Sequence, residues 1–283
     1  LTAIGGVPLG GKNVVKIMGI INVSPESFYR GSVRTGNEEI ATAAQEMQQN
    51  GAHIIDIGAM STAPYLETMI PVEEEIKRMN DAIKIVKSAC DLPVSTDTPR
   101  AAVAKEAIAA GADAINDVTG LKYDSKMADV VAQAGVSVII GAYSKAAMTD
   151  RMAGTLKALK ESISLAKKAG VADSNIVIDP SIGFFRNEGK NPFFTKMTDM
   201  PWYARDIEVL GKLGELAALK KPVCVSASRK SFIGHLLNLN AEDRLIPSIL
   251  CEAVAVINGA SIIRTHNVKE TVQALTMLQL LKL

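Results

Sequence analysis

One local phrase recurs along the chain: an amphipathic stretch, a glycine, a short apolar run and a polar residue. It reads NGAHIIDIG at 50–58, AGADAINDVTG at 110–120, AGVSVIIG at 134–141, AGVADSNIVIDP at 169–180 and NGASIIRTH at 258–266. Glycine suits a helix end, where the left-handed conformation costs it little. A short run that is apolar throughout suits a parallel strand covered by helices. Three further runs, VKIMGII at 15–21, LPVST at 92–96 and PVCVS at 222–226, bring the strands to eight. Amphipathic stretches near 37–50, 72–89, 99–110, 125–134, 152–169, 203–219, 241–258 and 267–282 supply eight helices. Eight such alternations in 283 residues predict an α/β protein of the (β/α)8 TIM barrel class, one domain spanning 1–283. The alternative is an open, doubly wound sheet. It calls for a topological switch point, and no Gly-x-Gly-x-x-Gly follows the first strand.

Composition excludes several function classes. The net charge of +1 gives no field for nucleic acid or a membrane surface, and aromatic residues at 4% leave no stacking platform for single strands. Cys90, Cys224 and Cys251 are odd in number, far apart and without metal-ligand spacing, so they read as reduced thiols in a reducing, cytoplasmic compartment. The opening LTAIGGVPLGG is broken by glycine and lacks a basic lead, and no run approaches the ~18 apolar residues of a membrane span.

A barrel of this kind keeps its chemistry where strands run out into the following loops. Those positions hold Asn22 after the first strand and Asp56 after the second, with Ser61 and Thr62 in the loop beyond. Asp97 ends the third strand, Asn116 and Asp117 the fourth, and Asp179 the sixth. Ser228, Arg229 and Lys230 follow the seventh, and Arg264 ends the eighth with His266 two residues on. The fifth ends blandly in Gly141, Ala142 and Tyr143. Taken singly, an Asp or Asn after a strand is most often a cap or turn former. Asp97 before Thr98-Pro99 suits a helix start, and Asp56 and Asp117 can be read as ties between loops. His53 and His235 read as structural. The conjunction is different. Acids and amides from several strands would face cations from the last two, a site for a flat ligand rich in heteroatoms that also carries an anion. A carboxylate such as Asp179 can accept two parallel hydrogen bonds from an amino group beside a ring N–H. Asn116 can donate and accept, Lys230 can donate to a ring carbonyl, and Arg264 can lay its planar face on a ring.

These residues lie in segments that resemble dihydropteroate synthase and its pterin-binding relatives: MGIINVSPESF at 18–28, GAHIIDIGAMST at 51–62, VSTDTPRAAVAKEAIAAGADAINDVTG at 94–120, IVIDPSIGF at 176–184, SASRKSFIG at 226–234 and GASIIRTHNV at 259–268. The resemblance implies a transferase that joins a pterin methyl diphosphate to an aryl amine and releases diphosphate. It implies that Asp97, Asn116, Asp179 and Lys230 hold the pterin, with Arg264 along its face. Asp97, Lys230 and Arg264 would be the catalytic set. Asn22, Arg264 and His266 would receive the diphosphate, with Mg²⁺ at Asn22. Phe28, Ser61 and Thr62 would complete the amine site, and a homodimer would form through the last helices, where 267–282 carries Val272, Leu275, Leu278, Leu280 and Leu281.

The departures lie in the amine-side loops. The first loop reads SPESFYRGSV, with Arg30 where an acid is usual. The second reads STAPYL, with Ala63 for the usual Arg and Tyr65 for the usual Gly. The stretch after the fifth strand reads GAYSKA in place of a His-Met pair. This pattern resembles the related enzymes of methanopterin biosynthesis, whose amine carries a ribosyl phosphate that Arg30 or Arg34 would meet. Two alternatives remain at this point: a pterin-dependent methyltransferase that passes a methyl group to a corrinoid, and a non-catalytic pterin-binding protein. The Ser228-Arg229-Lys230 run disfavours the methyltransferase, which usually has Asn there.

Overall fold

The computed structural model describes residues 2–25, 33–34 and 36–281. The expected positions Phe28 and Arg30 lie outside the described residues. A hairpin of β1 (Thr2–Ile4) and β2 (Val7–Leu9) opens the chain. The barrel follows as β3 (Lys16–Asn22), β4 (Ile54–Gly58), β5 (Val94–Asp97), β6 (Ala114–Asp117), β7 (Ser137–Gly141), β8 (Ile176–Asp179), β11 (Cys224–Val225) and β12 (Ile262–Thr265), all parallel. Its sheet order is β11-β12-β3-β4-β5-β6-β7-β8, and a bridge between Ile178 and Val223 brings the two ends together.

Helices α1 (Asn37–Gln49), α2 (Val72–Ala89), α3 (Ala101–Ala109), α4 (Met127–Ala134), α5 (Met152–Lys168), α6 (Trp202–Gly211), α8 (Leu245–Ile257) and α9 (Val268–Leu280) cover the outside. The expected (β/α)8 barrel is therefore observed, with boundaries shifted by a few residues. The stretch expected to be helical over 203–219 divides into α6 and a 3-10 turn at Leu213–Leu219. Four elements have no counterpart in the sequence reading: the hairpin, a 3-10 turn at Asp173–Asn175, a short α7 (Ser231–Leu237), and a parallel pair of two-residue strands, β9 (Phe185–Arg186) and β10 (Thr195–Lys196), in the loop after β8.

The strand runs hide an alternation of period two. Ile55, Ile115, Ile140, Ile178, Val225 and Ile263 belong to the large core shared with the helices. Met18, Ile54, Ala114, Ile139, Val177, Cys224 and Ile262 form a separate cluster within the barrel. Ile4 and Leu9 of the hairpin join that inner cluster, and the Ser137 hydroxyl donates to the Ala3 carbonyl at 2.6 Å. The hairpin thus plugs the end of the barrel where the strands begin. Two residues further along, the inward positions become Asp56, Asn116, Asp179, Ser226 and Arg264, with Asp97 in register beside Asn116.

Candidate active site

Arg264 is the hub of the barrel mouth. Its Nε donates to Asp56 Oδ2 at 2.6 Å and its Nη2 to Asp97 Oδ2 at 2.7 Å. Asn116 Nδ2 donates to the same Asp56 oxygen at 3.3 Å. Burial works against the guanidinium charge, but the two carboxylates outweigh it and hold the Arg264 pKa above its ordinary value. Asp97 is pushed up to about 7 by burial first; Arg264 pulls it down and Asp56 pushes it up. One cation between two buried acids leaves acceptor capacity over: Asp56 Oδ1 and Asp97 Oδ1 are both buried without a partner, as is Ser226 Oγ. Buried polar atoms in this state call for a ligand or water to complete them.

Asp179 lies at the end of β8, where its Oδ1 accepts from the Ser181 backbone N–H at 2.6 Å. Burial raises its pKa, while Lys230 and Arg264 pull it down. Lys230 is held down to about 8, by burial first and then by Arg264. Its ammonium sits 4.6 Å from the Phe184 ring centroid, and Gly183 makes room for its stem: a Cβ there would fall 3.1 Å from Lys230 Cδ, at a φ of +88°. The loop carrying Asp179, Gly183 and Phe184 is held from α6. Arg205, fully buried and stacked on Phe185, donates to the carbonyls of Pro180 and Ser181 and pairs with Asp206, whose Oδ2 accepts from Gly183 N–H.

Two connected cavities result. The inner one is lined by Asp97, Asn116, Asp179, Ser181, Ser226, Lys230 and Arg264. The outer one shares Asp97, Ser226, Lys230 and Arg264 and adds Asn22, Ser61, Thr62, Pro64, Tyr65, Ser231 and His266. Asn22 reaches it because Gly58 is bare; a Cβ there would lie 3.0 Å from Asn22 Oδ1. His266 is a neutral imidazole, its pKa forced far down by burial and then by Arg264, Lys230 and Arg229. Its Nδ1 lies 3.0 Å from Ser228 Oγ. It therefore enters as a hydrogen-bonding group, not as a further cation.

The second loop is buried and tied down. Ser61 and Thr62 are largely covered, and Thr68 Oγ1 donates to the Ser61 carbonyl at 2.5 Å. Asn191, from the loop after β8, donates to the carbonyls of Ala63 at 2.7 Å and Leu66 at 3.3 Å. At the loop's far end Arg100 donates to the Ile70 carbonyl and pairs with the fully buried Glu75.

Of the expected site residues, Asn22, Ser61, Thr62, Asp97, Asn116, Asp179, Lys230, Arg264 and His266 all line these cavities. Three readings are corrected. Asp97 caps no helix: α3 starts from Arg100 without a side-chain cap, and the carboxylate goes to Arg264. Asp56 ties no loops but pairs with Arg264 inside the barrel. Arg229 lines neither cavity; it donates to Asn267 and to the carbonyls of Ala241 and Glu242. Asp117 is structural within its own loop, accepting from the Thr119 and Leu121 N–H groups at 2.8 Å each. Sequence reasoning missed Asp56 as a site residue. The available signal was its place on the inward phase of β4, two residues beyond Ile54.

Comparison with known proteins agrees with this geometry. The family described as "Pterin binding enzyme" matches residues 18–266. The chain is 38% identical over 263 residues to a dihydropteroate synthase of Clostridium beijerinckii, covering 92% of each chain. It is 35% identical to that of Bacillus subtilis, covering 94% of this chain and 88% of the other. Among solved structures, dihydropteroate synthase from Clostridium difficile in the presence of pteroic acid superposes with a TM-score of 0.81 at 34% identity, covering 96% and 98%. That of Xanthomonas albilineans with 4-aminobenzoic acid gives 0.80 at 32%, covering 95% and 94%. With matches of this extent, the chain belongs to the pterin-binding enzyme family, as a transferase of the dihydropteroate synthase type.

Proposed function

We propose that this enzyme condenses 6-hydroxymethyl-7,8-dihydropterin diphosphate with 4-aminobenzoate, releasing diphosphate, as a step of folate biosynthesis. The observation that carries this reading is a set of buried acceptors with unused capacity: Asp97 and Ser226 line one cavity with Asp179 and Lys230, and Asp56 stands behind them, paired with Arg264. A pterin offers a matching edge of amino and ring N–H donors with a carbonyl next to them. Asp97, Asn116 and Asp179 would take the donors and Lys230 the carbonyl. Arg264, fixed by Asp56 and Asp97, would lie along the ring and turn its remaining charge toward the diphosphate.

The C–O bond from the pterin methylene to the diphosphate breaks, and the leaving oxygen keeps the electron pair. The amine nitrogen forms the new C–N bond and loses a proton. Arg264, Lys230 and the neutral His266 would stabilise the departing anion by fixed charge and hydrogen bonding, while the two cavities hold the carbon and nitrogen in line.

Among the described residues no cluster of three His, Cys, Asp or Glu side chains could hold a metal. Asn22, which lines the outer cavity, would offer Mg²⁺ one neutral amide oxygen, with water and the substrate phosphates supplying the other ligands. Bound there, Mg²⁺ would neutralise charge on the diphosphate.

The amine site would be formed by Ser61, Thr62 and Ser231, with Phe28 completing it. 4-Aminobenzoate is favoured over a ribosyl-phosphate amine because the reported relatives are dihydropteroate synthases, one of them solved with 4-aminobenzoic acid. The methanopterin-type reading rests on Ala63, Tyr65 and Arg30. Tyr65 lies over Arg186, and Arg30 lies outside the described residues. The exposed apolar face of α8 and α9, with Ile246, Leu250, Ile257, Met277 and Leu280, supports a homodimer. Of the five apolar residues expected to serve it, Leu275 is buried against the barrel and Val272 and Leu278 pack on the core, whereas Leu280 and Leu281 are exposed. No helix among the described residues is long and apolar enough to cross a membrane, and a cytoplasmic single-domain enzyme is the reading we adopt. Turnover with pterin diphosphate and each of the two amines tests the proposal; a preference for the phosphorylated amine would replace the substrate and keep the reaction.

A further inference from the structure

Arg186 is a buried cation that the reaction so far leaves unused. It stands on β9 in the loop after β8, only 8% exposed. Its guanidinium lies 4.0 Å from the Trp202 ring centroid and 4.8 Å from that of Tyr65. Among the described residues its hydrogen bond is one, from Nη2 to Ser231 Oγ at 3.1 Å, and its buried Nε has no partner. The carboxylate that acts on it from a distance, Asp206, is engaged by Arg205 and by the Gly183 N–H. A guanidinium remains charged in a protein. Aromatic faces soften the cost of burying that charge but do not neutralise it.

The one hydrogen bond leads to the outer cavity. Ser231 lines it together with Pro64, Tyr65, Phe184 and Lys230. Resting on the proposed amine, we infer that Arg186 is the specificity-determining residue for that substrate: through the Ser231 hydroxyl it makes the outer cavity select an aryl amine bearing a carboxylate over an uncharged one. Donating to Ser231 Oγ leaves that hydroxyl free to donate its own proton outward to an anion, and the guanidinium behind it strengthens the bond. Tyr65 and Trp202 keep the guanidinium in place and shield it from water, so its field is spent on the cavity. Arg186 acts through Ser231 and is thus a positioning residue.

The test is steady-state kinetics at saturating pterin diphosphate, with 4-aminobenzoate and its uncharged counterpart 4-aminobenzamide as the amines. Arg186→Gln should raise KM for the acid about 10- to 100-fold, the loss expected for a charge-assisted hydrogen bond. It should leave kcat, the KM for pterin diphosphate and both constants for the amide nearly unchanged. Arg186→Lys should restore part of the acid's advantage. Ser231→Ala, which keeps the stacked cation, should show part of the same acid-specific loss and decides the matter if Arg186→Gln does not fold. An acid-to-amide ratio that Arg186→Gln and Ser231→Ala leave intact, or an equal loss for both amines, overturns the inference alone. A wild-type enzyme that binds pterin diphosphate and cannot use 4-aminobenzoate overturns the reading beneath it as well.

Discussion

The two ends of the barrel interior are built by the same strands in the same register, two residues apart, and differ in almost every other respect. At the end where the strands begin, Met18, Ile54, Ile139, Val177 and Ile262 meet the hairpin residues Ile4 and Leu9, and the space is filled. At the end where they finish, Asp56, Asp97, Asn116, Asp179 and Arg264 leave cavities with unsatisfied acceptors. The filled end gains from removing apolar surface from water, a non-directional effect. The open end is held by a few short charge-assisted bonds around one guanidinium, so its stability depends on each partner being present.

That contrast can be broken from either end. The largest effect should come from Arg264→Ala, which leaves Asp56 and Asp97 buried without their cation. About 3–5 kcal/mol of stability should be lost, visible as a lowered denaturation midpoint, and turnover should vanish. A stable, merely inactive variant would mean that the acids are satisfied in some other way. At the opposite end Ile4→Ala should cost about 2–4 kcal/mol by opening a void, while the affinity for pterin stays unchanged in calorimetry. A matching loss of pterin affinity would show that the ends are not independent.

Asp179→Asn sharpens the comparison further. It removes the charge from an acceptor lining the inner cavity and should weaken pterin binding by about 1.5–3 kcal/mol with little change in stability. Unchanged affinity would take Asp179 out of the pterin site. The smallest effect is one of pH. Lys230, held down to about 8 mainly by burial, is charged below that value and neutral above it. An anionic substrate favours the charged form, so kcat/KM for pterin diphosphate should fall as pH rises through about 8 in the free enzyme. Lys230→Arg should carry the fall out of the range; a profile unaltered by that change would assign the titration to another group.

The barrel was legible because each strand is apolar on both phases, one toward the helices and one toward the hairpin. The hairpin itself was not. Its strands are three residues each, broken by Gly5 and Gly6, and their burial comes from the barrel they enter and not from a pattern of their own. The strand-end residues of the mouth were legible from their chemistry and order. Asp56 and Asp117 looked alike as single acids after strands, and only the inward or outward phase separates them. Phase becomes visible once Ile54 and Ala114 are known to face inward, which places Asp56 and Asn116 inside and Asp117 outside. Arg186 was illegible for another reason: Tyr65 and Trp202 come to it from distant parts of the chain, and no local pattern announces such a meeting.

The Asn191 amide grips the second loop by the carbonyls of Ala63 and Leu66, and its own oxygen accepts from the Phe193 N–H. Every loop atom it holds belongs to the main chain. Side chains at 63 and 65 can therefore drift over generations without loosening the loop's attachment to its neighbour. Such an arrangement uncouples the history of substrate preference from that of the scaffold: a lineage can exchange an arginine for Ala63 or a glycine for Tyr65, retune what the outer cavity accepts, and keep its pterin chamber in service throughout.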